Sequence, residues 1–214
     1  MTTPTKLSIY SAALGWCGSR RLASLSEDVE ARYVLDDVWD RGHVDRCLQK
    51  GLWKFAIRTS QIDYDTSYTD PLNSGWYRFD IPSDHIRTVQ FSQNGSFTDP
   101  DLGYQSEGAY WYSTLQTIYV RYVSNGASYG ADYSLWPDDF QDFVEVDLAF
   151  RSIKRLTDAK TDYEDLKSER RRILMEAKST CAMEDPTRFP PETSWNSSRR
   201  GYRGYRSNRD YGGM

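Results

Sequence analysis

Apolar residues recur at helical spacing near the start of the chain, at Leu7, Ile9, Tyr10, Ala13 and Leu14, and predict a helix over about Lys6 to Trp16. Gly15 and Gly18 supply its stop. A short loop, Ser19 to Ser26, follows. Ser26 suits an N-cap, with Glu27 and Asp28 in a first turn where acids complement the helix dipole. From there a second helix runs to about Lys50. Ala31, Val34, Leu35 and Val38 form one stripe; Val44, Cys47, Leu48 and Leu52 form another, offset by two residues. Arg41-Gly42 lies between the stripes, so a kink or break is expected there.

The period then changes to two. Tyr77, Phe79 and Ile81 alternate with Arg78 and Asp80, and Ile118, Val120 and Tyr122 alternate with Tyr119 and Arg121. Arg87 to Phe91 continues in that style, with Val89 and Phe91 on one side. Asn94-Gly95 and Asn125-Gly126 are turn signals. Residues 55–125 therefore predict a small antiparallel β region, with long loops over Asp63–Gly75 and Phe97–Tyr112. Pro137 then opens a long helix, with Asp138 and Asp139 in its first turn. Phe140, Phe143, Val144, Leu148, Ile153 and Leu156 supply its buried face. The pattern resumes with Tyr163, Leu166, Ile173, Leu174 and Ala177 after a break near Thr157–Thr161, and Pro186 stops it.

The expected class is α+β, mainly α: a helical bundle with an inserted small antiparallel β region and an extended C-terminal arm. Residues 1–54 are its N-terminal helices and 55–136 the β insertion. Residues 137–185 are its long C-terminal helix or helix pair, and 186–214 the arm.

Composition changes the picture mainly at that arm. Residues 186–214 contain no Ala, Leu, Ile or Val. Such a segment cannot bury enough apolar surface to offset its ordering entropy, so it needs a partner to become ordered. It carries six Arg against two acids, which leaves 21 basic and 29 acidic side chains in the rest of the chain. The body is acidic and the arm basic. An acidic body makes a poor general binder of nucleic acid. In the arm, Arg188, Arg199, Arg200, Arg203, Arg206 and Arg209 can make bidentate contacts with acids. Phe189, Trp195, Tyr202, Tyr205 and Tyr211 can anchor them in a groove of another protein. The alternative is a nucleic-acid-binding module, in which the tyrosines stack on bases and the arginines meet phosphates.

Little points to catalysis. Asp36-Asp37-Val38-Trp39-Asp40 and Asp138-Asp139-Phe140-Gln141-Asp142 both fit DDxxD, the pattern with which isoprenyl diphosphate synthases hold Mg²⁺. Those enzymes are larger and all-helical, whereas the stretch between the motifs here reads as β. His43 and His85 are the two histidines, and neither lies in a motif with a nucleophile or a metal ligand. No phosphate loop, GxSxG, HExxH or dinucleotide fingerprint is present. The expectation is a non-enzyme without cofactor or metal. Cys17, Cys47 and Cys181 are widely spaced and odd in number, which suits free thiols in a reducing compartment. Neither a signal peptide nor a long apolar run is seen, so no membrane partner is expected. Glu169-Arg170-Arg171-Arg172 reads as a solvated helix face or a subunit contact.

Several motifs occur in series: Leu14-Gly15, Leu22-Ala23-Ser24-Leu25-Ser26, a long amphipathic helix, and Leu52-Trp53-Lys54-Phe55-Ala56. Tyr77 to Arg87 follows, then Phe140 to Ala159 with Asp147-Leu148-Ala149-Phe150 at its centre, and Glu192-Thr193-Ser194-Trp195. The series resembles the head-to-tail adaptor proteins of tailed bacteriophages, especially the tail tubular protein A type of short-tailed phages. It spans roughly residues 7–195. The resemblance implies a helical bundle with a β excursion. It also implies a virion protein of the neck and tail, assembled in the host bacterial cytoplasm. A homo-oligomeric ring of twelve copies would sit beneath the portal protein, with tail nozzle or fibre proteins below and DNA passing through the lumen without specific binding. Trp16-Cys17 stand where an acidic residue often follows the Leu-Gly, and the Gly-Tyr-Arg repeat matches no motif of that family.

Overall fold

The computed structural model describes residues 3–68, 75–157 and 160–184. The predicted arm, residues 186–214, lies outside them. Five α-helices and six strands order as α1 Lys6–Trp16, α2 Glu30–Asp40, α3 His43–Leu48, β1 Ile57–Asp63, β2 Tyr77–Asp80, β3 His85–Ser92, β4 Gln105–Glu107, β5 Tyr110–Ser113, β6 Thr117–Ser124, α4 Asp138–Leu156 and α5 Lys160–Met183. The chain is thus α+β and mainly α, with its strands inserted between α3 and α4.

Capping explains the first helix. The Thr5 hydroxyl accepts from Ser8 N–H at 3.2 Å while Ser8 Oγ accepts from Thr5 N–H at 2.9 Å, a reciprocal box. At the other end Gly18 is left-handed (φ 66°), and Ser19 N–H reaches back to Leu14 O at 2.9 Å. Gly18 therefore ends the helix, while Gly15 lies within it.

The second helix differs from expectation at its start. Ser26 caps nothing; α2 begins at Glu30 behind an extended Val29. Glu27 is occupied in the loop instead: its carboxylate accepts from Ala23 N–H at 2.8 Å and pairs with Arg20, and Arg32 Nε donates to its carbonyl at 2.7 Å. The break at Gly42 is present. Its φ of 77° takes the chain out of α2 and directly into α3.

The strands form two three-stranded antiparallel sheets, ordered β1-β6-β3 and β2-β5-β4. Phe79 and Trp111 of the second meet Phe91, Ile118, Val120 and Tyr122 of the first in a small separate core. The opposite face of the first sheet joins the helical core through Val123. Two register slips in β3 leave Ile86 and Val89 unpaired, and both turn toward the helices. Val89 and Phe91 therefore serve different cores rather than one side. The expected loop over Phe97–Tyr112 also holds β4 and part of β5. They are joined by a two-residue turn with Gly108 at φ 59°. All three β4 residues are exposed, so no apolar alternation marked it.

Beside that sheet face, a tight joint holds the insertion to the bundle. Trp53 is buried against Phe140, with ring centroids 4.8 Å apart, and its Nε1–H donates to Cys47 O at 3.1 Å. Gly130 passes so close that an added Cβ would stand 2.4 Å from Ser124 O and 2.6 Å from Leu48 Cδ1. Asp84 ties the sheet's end together, accepting from Arg58 at 2.8 Å, Tyr122 at 3.1 Å and Ser124 at 2.5 Å. Asn125 crosses to α3, donating to Asp45 at 3.1 Å. Trp53→Ala is expected to cost about 3–5 kcal/mol in urea unfolding; a loss below about 1 kcal/mol would contradict this role for the joint.

Candidate functional site

Every arm residue predicted as partner-binding, from Arg188 to Tyr211, lies outside the described residues. Among those described, polar chemistry concentrates at three places.

The first DDxxD motif is internally compensated. Asp36 accepts from the Tyr10 hydroxyl and from Arg32 Nη1, each at 2.9 Å, with Lys6 Nζ at 3.2 Å. Burial alone would raise its pKa; the hydrogen bonds from Tyr10, Lys6 and Arg32 outweigh it and hold the carboxyl low. Asp37 pairs with Arg41 at 2.8 Å and Arg155 at 3.6 Å. The motif fastens α1 and α4 to α2.

Among the described residues, the second motif pairs with no cation. Asp138, Asp142 and Glu145 follow one another at spacings of four and three, which puts them on one stripe of α4. None makes an ion pair among the described residues. Burial, then the Asp142 charge, pushes Glu145 up to about 7. Burial, then Asp139 and Asp138, raises Asp142. The two motifs do not converge on a shared metal position: among the described residues, the one group of three donors within metal-binding reach lies elsewhere.

That group is His43, Cys47 and Asp147, all buried. His43 and Cys47 share a face of α3 at i and i+4 and meet Asp147 from α4. Asp147 is 1% exposed. Its Oδ2 takes Arg151 Nε at 2.6 Å, and its Oδ1 takes Arg170 Nε from α5 at 2.5 Å. Burial works against its charge, but Arg151, His43 and Arg170 together keep its pKa low. His43 Nε2 lies 3.0 Å from Val144 O, and burial holds this imidazole below its ordinary pKa despite Asp147. Burial, then the Asp147 charge, pushes the Cys47 thiol well up. The donor set suits a soft cation in kind. The two guanidiniums already overcompensate the carboxylate, however, and a dication there would add to buried positive charge. The cluster is an ionic bolt through three helices.

Sequence reasoning missed this bolt. The signal was present: Asp147 stands at helical spacing from Phe140, Phe143 and Val144, on the apolar stripe itself, with Arg151 one turn on. Arg170 also departs from its solvated run. It turns inward, while Arg172 pairs outward with Glu169 and with Glu176, the latter at 2.6 Å. Cys17 and Cys47 are buried free thiols; Cys181 is partly exposed.

A cavity of about 230 Å³ opens where α4 begins and α5 ends, walled by Trp53, Phe55, Leu135, Pro137 and Phe140. It is smaller than most ligand sites, and Lys54, Asp139, Cys181 and Glu184 are among the polar groups on its wall. Among the described residues, no helix is long and apolar enough to cross a membrane. No protein-family model matches the chain, and no curated protein matches it in sequence.

Two stability outcomes follow. Asp147→Ala strands two guanidiniums and is expected to cost about 3–5 kcal/mol by urea unfolding, against little change for Arg172→Ala, whose pairs are exposed. Glu145 holds its proton more tightly folded than unfolded, so its contribution is present in acid and lost as pH rises through about 7. Glu145→Gln should therefore raise the melting temperature at pH 8 and leave it unchanged at pH 4. Equal melting temperatures at pH 8 would refute the raised carboxyl of this half-buried glutamate.

Proposed function

We propose that this protein is a structural component of a virion, a head-to-tail adaptor. Twelve copies form a ring that joins the portal to the tail and lets DNA through. The observation that carries the proposal is the order of elements: a helical body interrupted by a β insertion between α3 and α4. The quoted motifs fall at its joints. Leu14-Gly15 lies in the last turn of α1, Leu52 to Ala56 hands the helices over to the first sheet, and Tyr77 to Arg87 covers β2 and the start of β3. Asp147 to Phe150 begins at the ionic bolt.

Charge and surface favour the same role. A conduit should not grip its cargo, and the body carries eight more acids than bases. Trp16, Tyr33, Leu52 and Leu135 stay 42–52% exposed, which gives apolar contact to the heterologous interfaces of a closed ring. The basic, aromatic arm is the docking element for the portal, repeated around the ring to add avidity.

The test is a binding assay on purified portal rings with the full chain and with a truncation lacking residues 186–214. The truncated chain should fold normally and bind at least about tenfold more weakly. Equal binding would remove the arm's role, and no binding by either chain would remove the adaptor role. Steeply salt-dependent retention of single-stranded DNA by the full chain would instead favour the nucleic-acid alternative.

A further inference from the structure

One lone pair beside the ionic bolt is left unserved. His43 Nε2 lies 3.0 Å from the carbonyl of Val144, a pure acceptor, so that nitrogen carries the proton in the neutral ring. Nδ1 is then a bare acceptor. The ring is fully buried, and Nδ1 has no hydrogen-bond partner among the described residues. It faces Asp147 Oδ2 at 3.5 Å. Cys47 Sγ lies 3.9 Å from the same oxygen. A buried lone pair facing a carboxylate is repelled by it and costs stability.

An imidazole, a thiol and a carboxylate thus converge, with one donor atom of each within 4.8 Å of the others. The 3.5 and 3.9 Å contacts match donors that share a cation through bonds of about 2.0–2.3 Å. The fold holds all three in place. Left-handed Gly42 opens α3 directly onto His43, and Cys47 follows one turn later on the same face. Asp147 is fixed from its far side, by Arg151 on Oδ2 at 2.6 Å and Arg170 on Oδ1 at 2.5 Å. A carboxylate oxygen has two lone pairs, so Oδ2 keeps capacity toward His43 and Cys47.

Charge selects the metal. One carboxylate and two guanidiniums give the cluster a net charge of +1. A dication bound with the Cys47 thiolate would raise it to +2. A monocation that displaces the thiol proton leaves it at +1. Burial and the Asp147 charge hold that proton tightly, so only a metal with high affinity for sulfur displaces it. Thiolate and imidazole together suit copper(I).

We propose that His43 Nδ1, Cys47 Sγ and Asp147 Oδ2 form a closed site for one copper(I) ion. Binding forms the copper–sulfur bond and breaks the sulfur–hydrogen bond of Cys47; the proton passes to water, and the metal keeps its oxidation state. The ion joins α3 to α4 where Arg170 joins α5 to α4, and it gives the Nδ1 lone pair a partner. All three side chains are almost wholly buried, so the ion enters as the chain folds or opens locally. The site is independent of the adaptor role.

Refolding the full chain with excess copper(I) in the absence of oxygen, followed by native mass spectrometry, tests it. Cys17 and Cys181 are also free thiols, so the background is Cys17→Ser with Cys181→Ser. This chain should retain one copper per molecule and melt at a higher temperature with it. Zinc(II) under the same conditions should change neither mass nor melting temperature. Cys47→Ser should abolish retention, and His43→Gln should weaken it at least about tenfold. If either variant does not fold, the imidazole resonances of the folded background serve. The chain has two histidines, so the spectrum of His85→Gln assigns His43. Copper(I) should shift the Nδ1 signal of His43 and leave His85 unmoved. No copper on the background chain, retention that survives in Cys47→Ser, equal binding of zinc(II), or a His43 spectrum unchanged by copper(I) would each overturn the site.

Discussion

Asp147 is a negative charge almost out of contact with water, and the helical body is arranged around its compensation. An isolated buried carboxylate would cost several kcal/mol or take up a proton. Here Arg151 lies one turn along the same helix and Arg170 arrives from the next, so α5 is positioned by a charge as well as by apolar packing. His43 and Cys47 bring α3 to the same point. Such a bolt adds little net stability over an apolar core of the same volume. Its effect is registry, because α5 can slide along α4 only by drawing Arg170 away from Asp147.

The β insertion obeys a different constraint. Its first sheet must serve two cores, one against the helices and one against the second sheet. The two bulges in β3 are how an eight-residue strand sends Ile86 and Val89 to one side and Phe91 to the other. Trp53 and Gly130 then fix the insertion to the bundle, the first by filling space and the second by leaving none. The second sheet, which packs only in the small separate core, can vary without disturbing the helices.

Local features of this fold were legible in the sequence. Pro137 marked the start of α4, Gly42 the break between α2 and α3, and the alternation from Ile118 to Tyr122 marked β6, because each is set by backbone chemistry or by one strong period. What stayed hidden depends on partners distant in the chain. Ser26 has the right chemistry for a cap, but Glu27 is drawn to Ala23 and Arg20, and the helix starts later. The exposed residues of β4 carry no pattern, since β5 alone orders them. Asp147 was visible as an acid on an apolar stripe, but its partner Arg170 stood in a charged run whose neighbours do face solvent. The candidate docking residues of the arm were legible by composition alone and lie outside the described residues.

The ring is the central claim, and imaging tests it most directly. Cryo-electron microscopy of the full chain bound to portal should show a closed ring of twelve copies, with the helical body and the β insertion each recognisable in the density. A portal without a ring, or the chain found only along the DNA, would contradict the account.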